Sequence, residues 1–213
     1  CKECSGCPSL AECKNMMEGY EPHLVVRGRV IDIEYHRCPR KVVHDERTSS
    51  QRLIKSLYVP KDILHASFDE LEPDSKGRVE AIRQAMAFVR DYEEGKKMKG
   101  LYFYGKFGVG KSYLLGAIAN ELAEKKISSM IVYVPEFFRE IKQSLGDHTT
   151  NEKLDAVKTA PILMLDDIGA ETMSSWGRDE ILGTILQYRM LENLPTFFTS
   201  NFNHSELTHH LTY

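Results

Sequence analysis

The stretch Gly100-Leu-Tyr-Phe-Tyr-Gly-Lys-Phe-Gly-Val-Gly-Lys-Ser112 decides how this chain folds. Its second part, Gly105-Lys106-Phe107-Gly108-Val109-Gly110-Lys111-Ser112, fits the P-loop pattern of Gly, four residues, then Gly-Lys-Ser without a mismatch. Such glycines let successive backbone N–H groups curl into an anion-binding nest. The lysine then reaches the β- and γ-phosphates, and the serine hydroxyl serves Mg²⁺. Leu101 to Tyr104, directly before the loop, reads as a short buried strand. Directly after it, Leu114, Leu115, Ile118 and Leu122 recur at helical spacing up to Lys125. Strand, glycine loop and helix in that order aim a helix N-terminus at phosphate, which a Gly-rich surface turn with a lysine would not do.

Working outward, strands and helices alternate from about Leu53. Val79 to Tyr92 is an amphipathic helix with Val79, Ile82, Met86 and Val89 on one face, and the basic turn Lys96 to Gly100 leads into the P-loop strand. Met130 to Val134 is a strand, Glu136 to Leu145 a helix, and Leu154 to Val157 part of another. Pro161 to Leu165 is a continuous apolar strand that ends at Asp166-Asp167. Ile181 to Leu191 is helical, and Thr196 to Thr199 is a strand ending at Ser200-Asn201. Apolar strands between helices predict a parallel sheet buried on both faces, an α/β fold of three layers.

In open α/β sheets ligands sit beyond the carboxyl ends of the strands. Three strand ends here carry chemistry: the P-loop, Asp166-Asp167 and Asn201. Asp166 follows Lys111 by 55 residues and occupies a Walker B position, where a carboxylate holds Mg²⁺ directly or through water. Asp167 is the candidate to polarise an attacking water. Helix N-capping is the plainer role for either carboxylate alone. Asn201 stands where an amide orients that water or senses the γ-phosphate, the sensor 1 position of AAA+ ATPases. Arg178 and Arg189 are basic candidates for the γ-phosphate or a neighbouring subunit, though a solvated helix face accounts for both.

The chain has 213 residues, 42% hydrophobic and 28% charged, with a net charge of −3. These values suit a globular protein without a global basic field, so any nucleic-acid contact is local. No apolar run approaches the roughly 20 residues of a membrane span. All five cysteines, Cys1, Cys4, Cys7, Cys13 and Cys38, fall in the first 38 residues. Cys1-x-x-Cys4-x-x-Cys7 holds two overlapping knuckles whose spacing suits a tetrahedral Zn²⁺, and the bare remainder speaks against a secreted disulfide framework. His23 to Tyr35 reads as two strands joined at Gly28, a hairpin that would return Cys38 towards the knuckle. Lys41 to Gln51 is charged with little apolar periodicity. The expected organisation is a zinc module over 1–44, incomplete at its N-terminus because the chain starts at Cys1, then a linker over 45–60 and an ATPase domain over 61–213.

The runs 100–112, Leu-Met-Leu-Asp-Asp-Ile-Gly-Ala-Glu (163–171) and Pro-Thr-Phe-Phe-Thr-Ser-Asn (195–201) together resemble the DnaC/DnaI/IstB group of AAA+ helicase loaders. The cysteine module, with Ile-Asp-Ile-Glu-Tyr (31–35) before Cys38-Pro39, narrows the resemblance to the Gram-positive branch of that group. It implies an ATPase of the cytoplasm using ATP, Mg²⁺ and Zn²⁺. Its implied partners are the hexameric replicative DNA helicase, single-stranded DNA, other primosome proteins and further copies of the loader on the helicase ring. It implies that Gly105 to Ser112 and the adjoining Tyr113 bind nucleotide, Asp166 binds Mg²⁺, and Lys111, Asp167 and Asn201 are catalytic. It implies a zinc site of Cys4, Cys7, Cys13 and Cys38, with His23 the rival to Cys13. Phe138, Arg139 and Lys142 would meet single-stranded DNA, although Phe138 reads first as core. The arginine finger and lid of such enzymes lie beyond sensor 1. This chain ends twelve residues after Asn201, so truncation before the lid is expected. A transposition-helper ATPase of the same group, a P-loop small-molecule kinase and a non-enzymatic zinc adaptor are the competing readings.

Overall fold

The computed structural model describes residues 10, 13, 15–51, 53–143, 148–170 and 174–212, without the side chains of 46–51, 148 and 149. The chain divides into two compact units, Cys1–Arg52 and Leu53–Tyr213.

The second unit is built on a parallel five-stranded sheet with the spatial order β3-β5-β6-β7-β4. Its strands are β3 (Ile54–Leu57), β4 (Tyr102–Tyr104), β5 (Ser129–Tyr133), β6 (Ile162–Asp166) and β7 (Thr196–Ser200). The helices that connect them are α2 (Lys61–Leu64), α3 (Lys76–Glu93), α4 (Lys111–Glu124), α5 (Val134–Gln143), α6 (His148–Thr159) and α7 (Gly183–Leu191), and α8 (His204–Thr212) follows β7. Every residue of β6 is buried, which is why its sequence shows no polar alternation. Ile162 and Met164 face a core of α3, α4 and Phe197, whereas Leu163 and Leu165 face a second core with Phe137, Ile141 and Val157. The three-layer α/β arrangement read from the strand pattern is therefore present.

Two features of this unit position the P-loop. Gly110 adopts a left-handed conformation (φ 87°) at the N-cap of α4, and no side chain caps that helix. Its first N–H groups are thus left to whatever the loop encloses. At Gly116 a Cβ would stand 2.0 Å from the Ile63 carbonyl oxygen, so only glycine lets α2 rest on α4. Asn120 completes that contact by donating to the carbonyls of Leu64 and Ala66 at 3.1 and 2.8 Å.

The first unit carries an antiparallel hairpin of β1 (Tyr20–Arg27) and β2 (Val30–Arg37), turning at Gly28 (φ 65°) as the sequence suggested. The expected linker over 45–60 differs from what forms. Helix α1 (Pro39–Gln51) covers its beginning, and β3 pairs with β5 through Ile54 opposite Ser129. The parallel partner of β3 lies 75 residues away, so no local pattern could reveal that strand. A six-residue π-helical turn, Gly177–Leu182, precedes α7 and was likewise not foreseen.

Candidate nucleotide-binding and hydrolysis site

Because β6, β7 and β4 are successive neighbours, their carboxyl ends bring Asp166-Asp167, Asn201 and the P-loop side by side. The loop is docked by Gly105, whose N–H donates to the Ser200 carbonyl at 3.2 Å. Lys111 Nζ donates to Gly105 O (2.9 Å), Lys106 O (3.0 Å) and Asn201 Oδ1 (2.9 Å), which uses all three ammonium protons. Partial burial pulls the Lys111 pKa down, against the opposing charges of Asp167 and Asp166. Asn201 Nδ2 in turn donates to Asp167 Oδ1 at 3.3 Å. The ammonium and the carboxylate thereby fix which way the amide points. Lysine, amide and carboxylate form one chain of contacts.

Asp166 is only 4% exposed. Burial raises its pKa, while hydrogen bonds from the hydroxyls of Thr199 and Ser112 pull it back. Asp167 is also raised by burial, with Lys111 opposing. Asp167 has φ 62°, unusual for a residue with a Cβ, and two bonds to Thr199 hold it there. Its own N–H donates to Thr199 Oγ1 at 2.8 Å, and the Ile168 N–H donates to Thr199 O at 2.9 Å. Consecutive carboxylates on one strand end are thereby given different environments. Asp166 is buried in the sheet beside Ser112, whereas Asp167 is turned towards Asn201.

The hard oxygens of Asp166 and Ser112, close enough for the Ser112 hydroxyl to favour the Asp166 carboxylate, make a donor set suited to Mg²⁺. The uncapped helix start and Lys111 suit a polyphosphate. Of the remaining P-loop side chains, Phe107 is 89% exposed and Val109 partly so. Tyr113 turns away from the loop: its hydroxyl donates to Glu70 and accepts the Ser67 N–H at 3.3 Å. The bond to Glu70 is the main cause of its raised pKa. Sequence reasoning missed Thr199 and also Arg78. Arg78 donates to Val109 O at 3.2 Å, to Asp74 Oδ2 at 2.9 Å and to Glu72 O at 3.1 Å, tying the loop to the start of α3. No local motif marks either residue, because each acts across more than thirty positions.

Comparison with known proteins follows the same division. Residues 75–209 match the Bacterial DnaA ATPase domain family, and residues 1–35 match the family described as Primosomal protein DnaI N-terminus. The chain is 56% identical over 212 residues to the replicative helicase loader DnaI of Bacillus subtilis, covering all of this chain and 68% of that protein. This chain belongs to the DnaI family of replicative helicase loaders. The crystal structure of DnaI superposes with a TM-score of 0.72 at 63% identity, covering 76% of this chain and 86% of that one. The replicative helicase loader DnaC of Escherichia coli K12 is 27% identical over 146 residues, 68% of this chain and 58% of that protein. The chain thus spans about two thirds of the Bacillus relative and less than two thirds of the Escherichia one.

With the DnaI family in hand, the other sequence candidates separate. Arg189 is 1% exposed and donates to Thr196 Oγ1 and to the carbonyls of Val157, Lys158, Ala160 and Pro195. It caps the end of α6 from within the core, and that burial lowers its pKa to about 10. Arg178 pairs with Asp179 and donates to Leu211 O at 2.6 Å. Neither guanidinium bonds to a P-loop residue. Phe138 packs against the second core and sits edge-on to Phe137, Arg139 bonds to Glu136, and Lys142 is exposed.

Of the expected zinc ligands, Cys4 and Cys7, with Cys1, lie outside the described residues. Cys13 and Cys38 are drawn to one place by Gly19. The Gly19 N–H donates to Cys13 Sγ at 3.4 Å, and the Gly19 carbonyl accepts the Cys38 N–H at 2.8 Å. Cys38 Sγ accepts the Lys41 N–H at 3.4 Å. The Gly19 N–H is the main cause of a lowered Cys13 pKa. Backbone donors on both sulfurs suit metal-bound thiolates. His23 stands on β1 against Glu21 (3.7 Å), its ring 4.8 Å from that of His36. Among the described residues no group of three or more metal-ligating side chains converges.

Proposed function

We propose that this chain is an ATP-dependent loader that holds the hexameric replicative DNA helicase through its N-terminal zinc unit and delivers it onto single-stranded DNA, in the cytoplasm, during replication initiation and restart. The observation that carries the reading is the convergence of Lys111, Asn201 and Asp166-Asp167 at the carboxyl ends of three neighbouring strands in a chain 56% identical to a replicative helicase loader. ATP would lie along Gly105 to Ser112, with Lys111 exchanging its carbonyl partners for phosphate oxygens. Asp166 and Ser112 would hold Mg²⁺, which when bound neutralises phosphate charge. Asp167 accepts the proton of the water that attacks the γ-phosphorus, and Asn201 orients that water. Cys4, Cys7, Cys13 and Cys38 would close the zinc site. Other primosome proteins and further copies of the chain on the helicase ring would complete the assembly.

The test has two arms. Lys111→Ala should abolish ATP binding, whereas Asp167→Asn should keep binding and slow turnover by about 10²- to 10⁴-fold. Equal loss of binding in both would sink the assigned roles. In the second arm, the whole chain should capture a hexameric replicative helicase, and chelation of zinc should release it. No capture by the untreated protein overturns the loader reading.

A further inference from the structure

The last residues of β7 do more than end a strand. Each of Thr199, Ser200 and Asn201 bonds to the segment that follows β6. Thr199 is fully buried, and its Oγ1 makes two contacts of opposite sense. It donates to Asp166 Oδ1 at 2.6 Å and accepts the Asp167 N–H at 2.8 Å. A hydroxyl has one proton, and an amide N–H can only donate, so the Thr199 proton is committed to Asp166. One oxygen of the buried carboxylate is thereby tied to the neighbouring strand. The same hydroxyl holds Asp167 in its left-handed conformation. The γ-methyl of a β-branched side chain restricts χ1 and keeps the hydroxyl at this junction.

We infer that Thr199 is a positioning residue for the cation site, its hydroxyl fixing the orientation in which Asp166 meets Mg²⁺. The inference rests on the nucleotide reading above. It does not require Thr199 to touch nucleotide, cation or water. Ser200 supplies a built-in control. Its hydroxyl is equally buried but donates to Ile168 O at 2.6 Å and accepts the Phe202 N–H at 3.1 Å, with no bond to either carboxylate.

The experiment titrates MgCl₂ into the whole chain in the presence of a fluorescent ATP analogue. It compares the parent with Thr199→Val, Thr199→Ser and Ser200→Ala. Thr199→Val keeps the shape and removes the hydroxyl, so the half-saturating Mg²⁺ concentration should rise about tenfold or more, the usual cost of losing an outer-shell partner of a metal ligand. Affinity for the analogue in EDTA should stay unchanged. Thr199→Ser restores the hydroxyl and should lie within about threefold of the parent, and Ser200→Ala should lower thermal stability without moving the Mg²⁺ midpoint. Should Thr199→Val fail to fold, Thr199→Ala carries the same expectation. An unchanged midpoint in a folded hydroxyl-free variant overturns the inference, as does a folded Thr199→Ser shifted as far as Thr199→Val. If the parent binds no analogue even at saturating MgCl₂, the nucleotide reading fails instead, and binding with no dependence on Mg²⁺ overturns the cation site and this inference with it.

Discussion

The two units use the same apolar residue types to opposite ends. In the ATPase unit Phe88, Phe137, Phe197, Leu115 and Met164 are all but fully buried, split between the two faces of one sheet. In the hairpin unit Leu24, Val26, Ile31 and Ile33 are between 50% and 75% exposed. The register places them together, Leu24 opposite Ile33 and Val26 opposite Ile31, on one face of a two-stranded ribbon. Alternation and a glycine turn suffice to form a hairpin, but two strands cannot close a core over their own apolar face. The ATPase unit is held by burial. Among the described residues of the hairpin unit Cys38 is the one buried hydrophobic, and a metal at its cysteines would supply stability that those residues do not.

That contrast can be broken at either side. The largest expected effect is on the hairpin unit. If zinc holds it, chelation or Cys38→Ser removes about 10 kcal/mol of apparent metal-binding free energy and the unit unfolds. Hydrogen exchange should then lose protection in β1 and β2 while β6 and β7 keep theirs. Retained hairpin protection after chelation would separate the unit from its metal. Next in size is Arg189→Met, which fills similar space yet strips partners from carbonyls at the end of α6. A loss of about 3 kcal/mol is expected for the ATPase unit alone, read by denaturant unfolding.

A smaller effect depends on pH. The folded pKa of Asp166 lies above its ordinary value because burial disfavours the charge. A raised carboxylate binds its proton more tightly when folded, so its ionisation costs stability above the ordinary carboxylate range and the cost disappears below it. Asp166→Asn should therefore raise the melting temperature at neutral pH, with the gain shrinking as pH falls through the carboxylate range. A gain independent of pH would assign it to packing instead. The smallest effect is on the exposed ribbon face. Ile31→Thr keeps a β-branched side chain at a position 70% exposed and should change stability by under about 0.5 kcal/mol. A larger loss would mean that the face is covered in solution.

Legibility followed the distance over which each feature is decided. The P-loop, the helix after it and the carboxylate at the end of β6 were readable because strand, turn and helix signals lie within a few residues of one another. Helix α3 was placed within three residues at its start and one at its end, but it buries Ala85, Phe88 and Val89, while Val79 and Met86 of the expected apolar face are exposed. Strand β3 was hidden in an apparent linker because its pairing with β5 is parallel and remote. Arg189 stood open as a surface cation because its helix is apolar enough to face either way. The carbonyls at and just beyond the end of α6, the Pro195 carbonyl and the Thr196 hydroxyl draw its guanidinium inward.

By itself, then, the sequence of this chain determined a P-loop α/β domain, the residues at the three strand ends of the candidate site, and a cysteine-bearing hairpin before it. Periodicity and short-range turn chemistry are written in adjacent residues and need no partner to be read. The tertiary structure alone decided that Lys111, Asn201 and Asp167 form one chain of contacts, that Thr199 Oγ1 bonds both the Asp166 carboxylate and the Asp167 N–H, and that Arg189 belongs to the core. Each of these rests on groups meeting across 29 to 90 residues of chain, and a parallel sheet brings such groups together only once every strand has found its neighbour.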